Sequence, residues 1–171
     1  MDLTSYTAVR PYTDSGDMIE FASATILGRA IRFFTKKKVN HTALVLNLEK
    51  YEGLKDRRFL LEALEHGIQL SLLSKRLKEF KGRVYWSRLR DEFEHDRQGI
   101  AAWAIQQVGT KYDYRSLFKN MFGKVNQDAR AYFCSEFYHM SLVHVGILGR
   151  GVAVRPGEFE QFKIFKHTVE L

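Results

Sequence analysis

Cysteine, proline and long apolar runs are scarce in this sequence. Its 171 residues include one cysteine and two prolines, and no apolar run approaches the roughly 18 residues of a membrane-spanning helix. A single cysteine excludes an intramolecular disulfide, and the scarcity of proline and of low-complexity sequence argues against linkers and disordered tails. The polar N-terminal segment also lacks the basic and apolar stretches of a secretory signal. We therefore expect residues 1–171 to form a single cytoplasmic domain with its own core.

Basic residues outnumber acidic ones. The chain has 27 Lys and Arg against 20 Asp and Glu, a formal net charge of +7 and a sequence pI of about 9.5. Basic residues cluster at 36–38 and between 75 and 90. Such clusters attract acidic substrates or anionic lipid headgroups, and the alternative is an ordinary solvated face. Because no recognised nucleic-acid-binding motif accompanies them, we expect no nucleic-acid partner.

The apolar periodicity predicts strands mainly in the first half of the chain and helices mainly in the second. Alternating or β-branched stretches predict strands at 17–21, 41–48, 57–64, 68–72, 82–89 and 162–171, with a hairpin turn at 65–67. Helical spacing predicts helices at 23–35, 72–80, 91–109, 114–123 and 134–146. This separation favours an α+β fold over an alternating parallel α/β sheet.

The single thiol, Cys134, stands where the last long helix is predicted to begin. Free N–H groups and the helix dipole at such a position favour a thiolate, which is the nucleophilic form of cysteine. A nucleophile of this kind also needs a base within hydrogen-bond reach. The alternative is a buried structural cysteine, because cysteine is among the most buried residue types.

Two polar residues of the predicted strands are candidate partners for the thiol. His41 opens the most apolar strand, where an imidazole can face a cleft. Glu62 is the one charged residue within the apolar run of the next strand. A carboxylate there either faces solvent or hydrogen-bonds an inward-facing imidazole, holding the ring and stabilising its charged form. His139 and His144 lie on the predicted helix of Cys134 itself; the spacing of His139 points it away from the thiol, and His144 is a few turns distant.

Five stretches together resemble the NlpC-type papain-like cysteine peptidases, in the circularly permuted branch of YiiX-like proteins and, more distantly, lecithin retinol acyltransferase. They are SGDMIEF (15–21), HTALVLNL (41–48), LLEALEHGIQL (60–70), GTKYDY (109–114) and FCSEF (133–137). The resemblance covers roughly residues 15 to 140, in the permuted order. It implies an α+β, papain-like fold in which an antiparallel sheet packs against helices and the nucleophile lies at a helix N-terminus.

The resemblance also implies roles for individual residues. Cys134 matches the nucleophile, His41 the general base and Glu62 the third member of a catalytic triad. Tyr112 matches a tyrosine that lines the substrate cleft, and Ser135 follows the nucleophile, so that its N–H or that of Cys134 would assist an oxyanion. Neither a metal nor an organic cofactor is implied.

The function that the resemblance implies is hydrolysis of an amide bond, in a peptidoglycan-type or γ-glutamyl peptide, through an acyl-enzyme. One alternative is a thiol enzyme that acts on lipid acyl groups, with AIRFFTKKK (30–38) resting on an anionic lipid surface. Another is a basic anion-binding module whose cysteine is inert. The first two predict a reactive thiol and the third does not.

Overall fold

A computed structural model describes residues 4–24, 38–51, 53–64, 67–109, 128–150 and 154–171. Three sequence predictions lie outside these ranges: most of the helix at 23–35, the helix at 114–123 and the cleft residue Tyr112. The stretch 30–37, on which the lipid-surface interpretation depends, lies outside them as well. These interpretations remain predictions.

The described residues form strands mainly in the first half of the chain and the two longest helices in the second half, with a last strand at the C-terminal end. In chain order they are α1 (Thr4–Val9), a 3-10 turn (Arg10–Tyr12), β1 (Met18–Ser23), β2 (His41–Asn47), β3 (Arg58–Leu64), β4 (Gly67–Leu72), α2 (Leu73–Glu79), β5 (Gly82–Leu89), a 3-10 segment (Asp91–Asp96), α3 (Arg97–Gln106), α4 (Asp128–His144), a 3-10 turn (Phe159–Phe162) and β6 (Phe165–Glu170). None of the helices in these parts of the chain has the length and apolar character needed to cross a membrane.

The strands of the described residues form one six-stranded sheet in the order β4-β3-β2-β1-β5-β6. Every neighbouring pair is antiparallel. The mixture of helices with an antiparallel sheet confirms the predicted α+β class. The predicted hairpin is also present, because β3 and β4 pair from Phe59↔Leu72 to Leu64↔Gly67.

Helices cover both faces of the sheet, and each face has its own apolar cluster. Alternation along the strands sends Met18, Leu44 and Leu61 to one face, where they pack with residues of α3 and α4. The intervening residues, such as Ile19 and Phe21, pack on the other face with residues of α1 and α2. The sheet is therefore buried on both sides at its centre.

The helix that carries Cys134 begins earlier than the sequence analysis predicts. The structure has α4 starting at Asp128, so that Cys134 lies in its second turn, and the predicted helix N-terminus at Cys134 is wrong. The stretch DARAYF (128–133) contains alanine and arginine, which favour helix, and has no glycine or proline to interrupt one. The helix predicted at 91–109 likewise divides into a 3-10 segment followed by α3, a common arrangement at helix starts.

A buried ion pair between Asp17 and Arg97 joins the sheet to the helical half. Asp17 Oδ1 accepts hydrogen bonds from Arg97 Nη1 at 2.8 Å and from the Leu89 N–H at 3.1 Å. Its Oδ2 accepts from Trp86 Nε1 at 2.9 Å and from the Asp14 N–H at 3.0 Å. Burial raises the pKa of the Asp17 carboxyl, and the charge and hydrogen bonds of Arg97 act in the opposite direction. Four donors, one of which is the buried cation Arg97, thus hold one carboxylate at the start of β1.

Replacing Asp17 by Asn is expected to lower the free energy of unfolding by about 3–5 kcal/mol, because it removes the buried partner of Arg97 and leaves only the exposed carboxylate of Glu94 beside that cation. Urea denaturation followed by circular dichroism measures the change. Asp91→Asn is the matched control, since Asp91 contacts Lys166 in an exposed ion pair, and it should cost far less. Equal effects of the two substitutions would contradict a structural role for the buried pair.

Candidate active site

His41 and Glu62 lie next to each other on neighbouring antiparallel strands. His41 is the first residue of β2 and Glu62 lies in β3. His41 Nε2 is 3.0 Å from Glu62 Oε1, which is hydrogen-bond distance. The side chain of His41 is 15% exposed and that of Glu62 is 2% exposed, so the pair is largely shielded from water. The structure therefore brings together the two residues that the sequence analysis names as base and orienting acid.

At the end of β2 that carries His41, β2 and β3 are not paired with each other. The β2–β3 ladder begins at Leu44↔Leu61, three residues after His41, and leaves an opening between the strands. The N–H of Thr42 is not used by this ladder and instead donates to Cys134 Sγ at 3.4 Å. A backbone donor at the sulfur stabilises negative charge there.

Cys134 reaches this opening from the far side of the sheet. It belongs to the apolar cluster between the sheet and α4, and it is 0% exposed. The ring of His41 instead lies near Phe21 of the other cluster, with 5.6 Å between ring centroids. Because β2 and β3 separate here, the sulfur and the imidazole meet in the opening, and the ring hydrogen-bonds Cys134 as well as Glu62. Since Nε2 faces Glu62, Nδ1 is the ring nitrogen that remains for the sulfur.

The groups on either side of the His41 ring control the protonation of the ring. Burial lowers the pKa of His41, but the charge of Cys134 and its hydrogen bond, followed by Glu62, outweigh burial and raise this pKa from 6.5 to about 10. Burial also raises the pKa of Glu62, whereas His41 and then Arg76 bring it below its usual value. The charged, imidazolium form of His41 is therefore favoured at neutral pH, with the sulfur of Cys134 on one side of the ring and the carboxylate of Glu62 on the other.

Glu62 has two further partners that come from one short segment. Ser71 Oγ, in β4, donates to Glu62 Oε2 at 3.3 Å. Arg76 Nε, in α2, lies 3.1 Å from both oxygens of the same carboxylate. The buried charge of Glu62 is thus hydrogen-bonded by His41, Ser71 and Arg76 together.

Residues 12–154 match the family described as "Permuted papain-like amidase enzyme, YaeF/YiiX, C92 family". The chain belongs to this family. The match spans most of the sequence and includes Cys134, His41 and Glu62. It confirms the resemblance on which the sequence analysis depends, and it places the chain among papain-like amidases.

The fold agrees with that of a solved family relative. The "Crystal structure of metalloprotein yiiX from Escherichia coli O157:H7, DUF1105" is similar to this chain with a TM-score of 0.50. Sequence identity is 14%, and the alignment covers 92% of this chain and 96% of that one. The papain-like α+β fold predicted from the sequence is therefore confirmed. Comparison with curated proteins finds no match.

Among the residues that the structure describes, no three or more His, Cys, Asp and Glu side chains are grouped so as to hold a metal ion. The acidic and imidazole groups of the site instead contact one another, Ser71 and Arg76.

Ser135 does not have the surroundings that the sequence analysis gives it. Its hydroxyl donates to the Val154 carbonyl, and the residue is completely buried. Within α4 the N–H groups of Cys134 and Ser135 are directed to carbonyls four residues earlier, away from an oxyanion. In the structure the side chain of Ser135 therefore makes a buried hydrogen bond between α4 and Val154.

Sequence reasoning missed Thr42 and Arg76. Thr42 contributes a backbone N–H, whose availability depends on where the β2–β3 ladder begins, and no side-chain pattern reveals that. Arg76 lies in an amphipathic stretch, LLSKRLKEF (72–80), in which several basic residues look alike. In the sequence, a lone acidic residue within an apolar strand, such as Glu62, is the one signal that a cation should lie nearby.

We expect the imidazole of His41 to titrate near pH 10 by NMR, and its pKa to fall in Cys134→Ala and in Glu62→Gln, since each removes a negative charge that raises it. Because the folded pKa exceeds the ordinary 6.5, the stability that His41 contributes is complete below about pH 6.5 and is lost as the pH rises towards 10.

Glu79→Gln is the control for the loss of a carboxylate, since Glu79 is 60% exposed and pairs with Lys75 on the surface. It should leave the titration of His41 unchanged. A His41 pKa that neither Cys134→Ala nor Glu62→Gln alters would contradict the charge arrangement.

Proposed function

We propose that this protein is a thiol amidase in which Cys134, His41 and Glu62 form the catalytic triad. The observation that carries the proposal is the meeting of three groups in the β2–β3 opening. Glu62 Oε1 lies 3.0 Å from the ring of His41, the ring hydrogen-bonds Cys134, and the Thr42 N–H donates to the sulfur. The arrangement contains a nucleophile, a base and a group that orients the base.

The first half of the reaction forms an acyl-enzyme. The thiol of Cys134 gives its proton to His41, and the resulting thiolate is stabilised by the His41 imidazolium and the Thr42 N–H. The sulfur attacks the carbonyl carbon of the amide and forms a C–S bond. His41 then gives its proton to the leaving nitrogen as the C–N bond breaks, which releases an amine.

The second half restores the enzyme. The neutral imidazole takes a proton from water, the hydroxide attacks the thioester carbonyl, and the C–S bond breaks to release a carboxylic acid. The sulfur leaves as an anion beside the imidazolium that has just formed. Throughout both halves Glu62 accepts the hydrogen bond of Nε2 and so keeps Nδ1 directed at the sulfur.

We propose an acidic peptide of the peptidoglycan or γ-glutamyl type as the substrate. Two observations support this class. The family is one of amidases, and the chain carries a formal net charge of +7, which attracts anionic substrates. The scissile amide would therefore lie close to a free carboxylate of the substrate.

Alkylation of Cys134 by iodoacetamide tests the reactive pair without a substrate. An ordinary thiol of pKa near 8.5 is only about 1% ionised at pH 6.5. We expect rapid alkylation of the parent at pH 6.5 and a loss of about 100-fold in His41→Ala. His167→Ala is the control, because His167 is exposed on β6, at the opposite edge of the sheet from β3 and β4.

A parent that alkylates as an ordinary thiol, or only after unfolding, would make Cys134 the buried structural residue of the alternative interpretation. Salt-dependent binding of anions would then be the property to measure.

Cys134→Ala is expected to abolish release of amine from γ-glutamyl peptides, since the sequence has no other cysteine that could replace the nucleophile. A ninhydrin-type assay of free amine measures turnover, and circular dichroism shows that the variant is folded. Ser141→Ala is the matched control, because Ser141 is equally buried on α4 and its hydroxyl donates only to the helix backbone. Turnover retained in folded Cys134→Ala would refute the triad.

A further inference from the structure

We propose, on the basis of the proposed thiol amidase, that Arg76 is a positioning residue of the active site: its guanidinium clamps the Glu62 carboxylate so that one oxygen faces the ring of His41. The triad alone does not fix this carboxylate. A carboxylate that hydrogen-bonds the imidazole through one oxygen can still rotate about its own axis. Orientation of the acid therefore needs a second contact.

Arg76 provides that second contact with a symmetrical geometry. Its Nε lies 3.1 Å from Glu62 Oε1 and 3.1 Å from Oε2. Ser71 Oγ donates to Oε2 alone, at 3.3 Å. Oε1 is then the oxygen that remains for His41, and rotation of the carboxylate would break the contacts to Arg76 and Ser71.

Two aromatic rings hold Arg76 in place. Its guanidinium carbon lies 4.9 Å from the ring centroid of Phe21 and 5.4 Å from that of Phe80. Phe21 also borders the ring of His41, so that one aromatic side chain adjoins both cations of the site. A flexible arginine that is stacked in this way loses little further entropy when it binds the carboxylate.

Arg76 also balances the charges around Glu62. The groups that face this carboxylate are His41 from β2, Ser71 from β4 and Arg76 from α2, with the sulfur of Cys134 on the far side of His41. Without Arg76, two anions would share a single cation in a largely buried site. Glu62 would then take up a proton at a higher pH, and the sulfur anion would lose support at the same time.

The test is the pH dependence of Cys134 alkylation by iodoacetamide in the parent, Arg76→Met and Arg76→Lys. We expect the acidic limb of the profile to move up by about one pH unit in Arg76→Met, the lower end of the effect of one nearby charge. The rate at an acidic pH then falls about tenfold. Arg76→Lys should shift less than Arg76→Met, because an ammonium keeps the charge but lacks the planar guanidinium that contacts both oxygens.

Lys75→Met is the matched control. It removes the same charge from the neighbouring position of α2, but Lys75 is 71% exposed and pairs with Glu79. Its profile should coincide with that of the parent. A Lys75→Met shift equal to that of Arg76→Met would overturn the proposal in favour of a general charge effect, and an Arg76→Lys profile equal to the parent's would overturn the clamp.

A double-mutant cycle then asks whether Arg76 acts through Glu62. In a Glu62→Gln background, Arg76→Met should add nothing to the shift. Full additivity would overturn the proposal. A parent with the ordinary profile of a free thiol would instead refute the amidase and the clamp together, whereas an anomalous parent profile that Arg76→Met leaves unchanged would refute the clamp alone.

Discussion

The ion pair between Asp17 and Arg97 is the contact on which the position of the nucleophile depends. Asp17 fixes the turn before β1 against β5 through Trp86 and Leu89, while Arg97 binds the first turn of α3 to it. The neighbouring Gly16 carbonyl accepts a hydrogen bond from the Tyr138 hydroxyl at 2.8 Å. Tyr138 lies one helical turn after Cys134 on the same buried face of α4. A charge in the core of the molecule therefore sets where the thiol meets the sheet.

The candidate site lies at an interruption of the sheet between β2 and β3. Where β2 and β3 are unpaired, a backbone N–H that would otherwise bind a strand binds a sulfur. Groups from opposite faces of the sheet meet through this opening, and charges of opposite sign alternate from His41 to Glu62 and Arg76. Alternation lets each buried charge be neutralised by its neighbour, which a site with one surplus charge would not achieve. Because the site is shielded from water, the attraction between its opposite charges is stronger than it would be on the surface, and this offsets part of the cost of burying them.

The strands and the closeness of His41 to Glu62 were open to prediction because each leaves a local signal in the sequence. Four strands, β2 to β5, begin and end within about one residue of the predicted bounds. Their apolar alternation and the turn between β3 and β4 depend only on residues that are adjacent in the sequence. His41 and Glu62 are conspicuous as polar residues in apolar strands. The start of α4 was missed because residues 128–133 contain no cap that marks a boundary. The Thr42 donor and the Arg76 contact depend on register and on packing between distant elements, and neither is encoded at any single place in the chain.

The distance along the chain between the partners of the site has a consequence for how the enzyme is made. Thr42 and Cys134 are 92 residues apart, and Gly16 and Tyr138 are 122 apart. Contacts between residues so far apart in sequence form late in folding, because the entropy of closing a large loop is lost before the contact contributes favourable energy. During synthesis every strand that borders the β2–β3 opening leaves the ribosome before α4 does. The proposed nucleophile is therefore the last member of the candidate site to be made, and the site is completed only when one late helix docks.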